Sequence, residues 1–321
     1  MPQNSYTFKL TKSQQIKALE ELSKDRYVVK YVPYTQIAVK SGTCSINLYT
    51  SGKLLIQGKT AQDWISFTLE PEIVGEVVTG YDEVLNPDWH TPHLGVDESG
   101  KGDYLGPLIV AAVFVDTHHI DALQELGVRD SKRITSDAKA IRIADGIRKI
   151  VGDRNIALLT LKPQTYNPLY LKIKNLNRLL AWGHARVIEE LLTKVPECTR
   201  GVIDQFGPEY LVKKALMTRG KKIDLEQRTK AEDDPAVAAA SIIARAEFVR
   251  AMQKASSYFA FDIPKGVSAQ VKDAAVRIVK EHGPDMLPKS AKLHFKTTTE
   301  ILSRSGYTYA DINWPEPKVE E

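Results

Sequence analysis

Between Thr11 and Arg26 the apolar residues Ile16, Leu19 and Leu22 recur at helical spacing among good helix formers, and Thr11 is placed to cap them. This predicts an amphipathic helix. The pattern then shortens into strand-like runs at Tyr27 to Val32, Thr35 to Lys40 and Ser45 to Gln57, the last folded into a hairpin by Thr50-Ser51-Gly52-Lys53. A helix with a small antiparallel sheet makes an α+β module. Residues 86–92, Asn-Pro-Asp-Trp-His-Thr-Pro, are turn formers with two prolines and read as a linker. The expected organisation is therefore an α+β domain over 1–85, the linker, an α/β domain over 93–310, and a polar tail over 311–321 whose end, Glu316 to Glu321, is expected to be disordered.

Past the linker, Leu94 to Asp116 forms a strand, a glycine-punctuated turn at Gly100-Lys101-Gly102, and a run from Pro107 to Asp116 β-branched enough to be a buried strand. Neighbouring side chains of a strand face opposite sides, so Asp97 and Glu98 share a face only if the strand ends there; the turn glycines place its end there. Ser136 to Val151 is helical by the recurrence of Ile141, Ala144, Ile147 and Ile150 or Val151, with Gly152 as its stop. Ile156 to Leu161 is a strand. Asn175 to Lys194 is a long helix with Leu176, Leu179, Leu180, Val187, Leu191 and Leu192 as its buried stripe; it carries Trp182, read as core, and His184. Gly201 to Gln205 is a short strand with Asp204 at its end. Pro208 opens a helix closed by Gly220, and Pro235 to Lys254 is a helix whose Ala238-Ala239-Ala240-Ser241 face is small enough to pack closely on a sheet.

Composition narrows the class. A chain of 321 residues with 43% hydrophobic and 26% charged residues is globular with a sizeable core. No apolar stretch is long enough for a membrane span, and MPQNSYTFKL lacks a signal-peptide core, so a cytoplasmic location is expected, and a monomer. Two cysteines without CxxC spacing suggest neither a disulfide framework nor a zinc site, and the adjacent His118 and His119 read as surface loop residues. The net charge of +4 is modest, but residues 1–60 hold nine Lys/Arg against three Asp/Glu while residues 61–90 hold seven acids and no Lys/Arg. The first block reads as a binding surface and the second as its solvated counterweight. A further basic cluster spans Lys213 to Lys230.

A carboxylate at the end of a buried strand is costly unless a positive charge meets it, and a divalent cation is a common answer. Asp97 is the first candidate ligand, Asp204 ends its strand in the same way, and two such strands can bring their acids to one sheet edge. Glycines beside Lys101 let a ligand approach the main-chain N–H groups. Taken alone, the Asp97 to Gly102 stretch is better read as a hairpin of solvated turn residues. Asp234 directly precedes Pro235 and is placed to cap the following helix, whereas Glu232 has a longer, freer reach. Both stay open as a further acid, Glu232 ahead of Asp234 for its reach.

These stretches resemble a family series. Asp97 to Val113 (DESGKGDYLGPLIVAAV), Asp130-Ser131-Lys132, Val202 to Phe206 (VIDQF), and Ala231-Glu232 leading to Val237 to Arg245 (VAAASIIAR) are similar, in order, to the motifs of the type 2 ribonucleases H in the form found in bacterial ribonuclease HIII. The resemblance covers roughly residues 93 to 300. It implies a ribonuclease-H-like mixed sheet flanked by helices, preceded by a small domain similar to the TATA-box-binding protein. It implies hydrolysis of the RNA strand of RNA/DNA hybrids, leaving 5′-phosphate and 3′-hydroxyl ends. Two Mg²⁺ ions roughly 4 Å apart would be held by Asp97, Glu98 and Asp204 with Glu232 nearby, and Mn²⁺ would substitute. Gly100, Lys101 and Gly102 would read the 2′-hydroxyl, as the corresponding turn does in the family, and Lys101 at its middle agrees with the HIII type, where type HII members usually carry Arg. Ser131, Lys132, Lys292 and His294 are expected contacts to the nucleic-acid backbone, with caps or surface charges as the plainer alternative. Two rival readings are a two-metal nuclease of this fold acting on DNA and a nucleic-acid-binding protein without catalysis.

Overall fold

The computed structural model describes residues 5–75, 90–128, 136–229 and 231–315. Ser131, Lys132, residues 86–89 of the linker and residues 316–321 of the tail lie outside them. The chain divides into two compact units, Met1–Asp88 and Trp89–Glu321. No described helix is long and apolar enough to cross a membrane.

The first unit contains strands β1 (Ser5–Lys9), β2 (Val28–Val29), β3 (Thr35–Ser41), β4 (Cys44–Tyr49) and β5 (Lys53–Gly58). They form an antiparallel sheet in the order β1-β5-β4-β3-β2. The helix Lys12–Leu22 starts as expected: the Thr11 hydroxyl accepts from the Gln14 N–H while the Gln14 side chain accepts from the Thr11 N–H. Its buried face matches the expected one at Leu22, with Leu19 packed partly against the core, but not at Ile16. Ile16 is 59% exposed, and Ala18, Glu21 and Leu22 face the core, where the Glu21 carboxylate is held by Lys24, Arg26 and the Tyr27 hydroxyl. The acidic segment is only partly a solvated counterweight. Ala61–Trp64 runs into a π-helical stretch, Ile65–Val74, that buries Ile65, Leu69 and Ile73 among Leu48, Leu54 and Ile56.

The second unit is built on β6 (His93–Ser99), β7 (Leu108–Val115), β8 (Ile156–Leu161), β9 (Arg200–Asp204) and β10 (Asp224–Arg228), ordered β10-β9-β6-β7-β8. β6, β7 and β8 pair antiparallel, and β9 and β10 are added in parallel, giving a mixed sheet. β7 is apolar at all eight positions because both faces are covered. Ala111, Val113 and Val115 join the core with helices Asp137–Val151, Pro235–Phe259 and Ala269–His282, while Val110, Ala112 and Phe114 join the core with helix Leu176–Lys194. The small face of Pro235–Phe259 packs closely on β6: a Cβ on Gly95 would stand 2.2 Å from the Ala236 backbone.

Several elements depart from the sequence reading. The helix after Pro208 ends at Ala215, and Gly220 belongs to a separate turn, Gly220–Lys222. His118 and His119 lie in the first turn of helix Thr117–Glu125, capped by Asp116, rather than in a loop. β10 runs through the basic cluster; its charged residues suit a short edge strand. β6 does not end at Asp97 and Glu98, since both pair with β7, opposite Ala111 and Val110, and the strand continues to Ser99.

Candidate active site

Because β6 continues, Asp97 and Glu98 take opposite faces of the sheet. Asp97 faces the Pro235–Phe259 helix, where the Ser241 hydroxyl bonds its carboxylate. Glu98 faces the Leu176–Lys194 helix, where His184 Nε2 lies 2.9 Å from Oε2. The strands β6 and β9 run parallel with Leu94, Gly95 and Val96 beside Gly201, Val202 and Ile203, so Asp97 and Asp204 are the next pair in that register. Neighbouring strands lie about 4.8 Å apart, and residues opposite one another share a face. Asp204 Oδ1 accepts from the Ala231 N–H at 2.9 Å, which draws the Ala231–Asp233 turn and Glu232 to the same edge.

The charges at this edge are in conflict. Burial, reinforced by the charge of Glu98, pushes the Asp97 carboxyl up to about 7. Burial also raises Asp204, opposed by the Ala231 N–H and reinforced by Glu232 and Glu98. For Glu98 burial acts upward too, but the hydrogen bond from His184 and the Lys101 ammonium 3.6 Å from Oε1 outweigh it and hold the group below its ordinary range. Among the described residues no group of three or more Asp, Glu, His or Cys side chains is drawn together to hold a metal ion. The result is an open edge of hard oxygen donors with excess negative charge. That donor set fits Mg²⁺ or Mn²⁺, which are held by one or two carboxylates while keeping positions for water and phosphate.

Asp234 is excluded from this edge by its own contacts. It is fully buried at the N-cap of Pro235–Phe259, where Oδ1 accepts from the N–H groups of Ala236 at 2.9 Å and Val237 at 3.1 Å. His93 Nε2 lies 3.0 Å from both carboxylate oxygens. Glu232, two residues earlier, is only partly buried.

The turn beyond β6 is rigid at one glycine and open at the other. Gly100 has φ +88°, and a Cβ there would stand 2.3 Å from the Pro107 carbonyl oxygen. A Cβ on Gly102 would meet nothing within 4 Å, so nothing in the chain itself requires glycine at that position. Lys101 extends over the Phe206 ring at 5.6 Å.

Lys292 and His294 are placed differently from the expectation. Lys292 is fully buried, and its ammonium donates to the carbonyl oxygens of Asp103 at 2.6 Å and Gly106 at 2.8 Å. It clamps the turn from behind and has no face toward a solvent-borne strand. His294 stacks on Tyr170 at 4.3 Å, and burial together with Lys292 pushes its imidazole down to about 4, so it carries no charge for a phosphate at neutral pH. Sequence reasoning gave no role to His184, and overlooked Asp103 and Asn167. Asp103 Oδ1 accepts from the Gly266 N–H at 2.6 Å. Asn167 binds the carbonyls of Pro288 and Ala291 and the N–H of Leu293, fixing the segment that carries Lys292. Their partners lie more than a hundred residues away, beyond any local pattern.

A mixed five-stranded sheet with acids at one edge of its central strands and helices on both faces defines a nuclease of the ribonuclease H fold. The comparisons agree: the family pattern described as Ribonuclease HII matches residues 94–298, and a domain of unknown function (DUF3378) matches residues 7–73. Ribonuclease HIII of Chlamydia pneumoniae is 41% identical over 297 residues, covering 92% of this chain and 97% of that protein. Ribonuclease HIII of Protochlamydia amoebophila (strain UWE25) is 38% identical over 290 residues, covering 90% and 94%. The crystal structure of Bst-RNase HIII in complex with Mn²⁺ superposes with a TM-score of 0.65 at 29% identity, covering 94% of this chain and 99% of that one. The chain belongs to the ribonuclease HII family, in its ribonuclease HIII branch, and is a metal-dependent endoribonuclease.

Proposed function

We propose that the protein hydrolyses the RNA strand of RNA/DNA hybrids by two-metal-ion catalysis, leaving 5′-phosphate and 3′-hydroxyl ends. The observation that supports this reading is the parallel β6/β9 register, in which Leu94, Gly95 and Val96 lie beside Gly201, Val202 and Ile203, so that Asp97 and Asp204 follow next on adjacent strands, before the turn that starts after Ser99. When bound, two divalent cations, Mg²⁺ or in its place Mn²⁺, supply water activation and charge stabilisation at the leaving 3′ oxygen. Asp97, Glu98 and Asp204 would hold them, with the partly buried Glu232 near enough for its charge to act on Asp204. Gly102 leaves room for a ribose to reach the main-chain N–H groups, which is how a 2′-hydroxyl is told from hydrogen. Lys101 exchanges its partner Glu98 for a substrate phosphate, and Ser131 and Lys132 contribute backbone contacts. The basic block of residues 1–60 adds affinity for the hybrid, and the protein acts as a monomer in the cytoplasm.

The deciding experiment incubates the protein and Mg²⁺ with a labelled RNA/DNA hybrid and a sequence-matched DNA/DNA duplex. Cleavage confined to the RNA strand is expected. Equal cleavage of both duplexes would assign the site to a DNA nuclease, and cleavage of neither would leave a binding protein.

A further inference from the structure

His184 is a buried titratable group with no part in the chemistry above. It lies mid-helix, fully inaccessible to solvent, with Nε2 2.9 Å from Glu98 Oε2. Nδ1 is buried and has no hydrogen-bond partner. A proton on Nδ1 would be a buried donor with nothing to bond, so the ring carries its proton on Nε2 and donates it to the carboxylate. Phe206 packs against the ring at 4.7 Å and restricts its rotation. The other carboxylate oxygen, Oε1, faces the partly exposed Lys101 at the longer distance of 3.6 Å. One oxygen of Glu98 is thus fixed from the core while the other faces the open edge.

We propose that His184 is a positioning residue for Glu98: it ties down Oε2 and so leaves Oε1 as the oxygen offered to a divalent cation. The inference rests on reading the acids as a cation site. Groups that orient a metal ligand change metal affinity or activity by about 10- to 100-fold when removed.

The test is Mn²⁺ binding to the full chain, followed by calorimetry or by the free-ion EPR signal, with steady-state kinetics alongside. His184→Leu keeps an apolar filling but no donor; a loss of Mn²⁺ affinity of about 10-fold or more is expected, with kcat reduced at fixed Mn²⁺ and KM for the hybrid unchanged. His184→Gln, whose amide can still reach Glu98, is expected to recover most of that affinity. Wild-type Mn²⁺ affinity in the Leu variant, or equal losses in Leu and Gln, would overturn the role even if both variants melted early. Should His184→Leu not fold, His184→Asn, whose amide is too short to reach Glu98, replaces it. Absence of any Mn²⁺ binding by the wild-type protein would instead sink the cation-site reading on which the role depends.

Discussion

Asp97 is held where two costs meet, removal from water and the charge of its neighbour Glu98. A neutral isostere escapes both. Asp97→Asn is therefore expected to raise the melting temperature of the protein in chelator while lowering turnover by on the order of 100-fold or more, with hybrid affinity little changed. Melting curves with and without Mn²⁺ check it: the ion should stabilise wild type more than the variant. Glu232 and Asp234 separate in the same way. Glu232→Gln should reduce turnover sharply with little change in melting, since the side chain is only partly buried. From the sequence, Asp234→Asn looks mild because Asn caps a helix equally well. The structure changes that expectation, since His93 contacts both Asp234 oxygens in a fully buried site. Loss of the charge should cost about 1–3 kcal/mol of stability, read by denaturant unfolding, while turnover of the folded fraction is retained. The capping role was legible from the Asp-Pro pair. His93 was not, because its partner lies 141 residues further along the chain.

At the scale of elements, the turn between β6 and β7 is the piece whose two ends do different work. Gly100→Ala must adopt a left-handed conformation and press on the Pro107 carbonyl, and is expected to cost about 1–3 kcal/mol. Gly102→Ala has space and no such strain, so its melting should match wild type while its KM for hybrid rises. Equal hybrid KM in Gly102→Ala and wild type would remove the turn from substrate recognition. The clamp behind the turn has its own signature. Burial, opposed by the charge of Asp103, lowers Lys292 from 10.5 to about 7. Between those values the unfolded chain binds a proton that the folded chain does not, so this group makes stability rise with pH across that window. Comparing wild type with Lys292→Met from pH 7 to pH 9 should show a gain in melting temperature with pH that the variant lacks. Helices with strong stripes, such as Leu176–Lys194, and the all-apolar β7 could be read from sequence because burial alone dictates their pattern. The Ile65–Val74 stretch could not, since its π-helical winding departs from the 3.6-residue period and Pro71 interrupts it. Nor could β10, where Asp-Leu-Glu-Gln-Arg carries one buried residue and owes its pairing to β9.

At the scale of the whole molecule, each unit has its own apolar core, so each should fold alone. A chain beginning near Pro87 is expected to keep its catalytic chemistry and lose affinity for hybrid. The nine Lys/Arg of residues 1–60 add phosphate contacts, so its deficit against the full chain should widen as salt is lowered. An unchanged KM at low salt would show that the first unit does not serve the substrate. The sequence features that suggest two parts are the proline-containing stretch at 86–92 and the shift of charge.

The two cysteines are distributed one to each unit, Cys44 on β4 and Cys198 before β9, both buried and both with thiols raised by that burial. Neither offers a ready thiolate to an oxidant or an alkylating agent while its unit is closed. The molecule thus carries a native pair of timers. Pulsed alkylation followed by peptide mass analysis would clock the opening of each half independently, in the unmodified protein and during turnover, with no probe introduced.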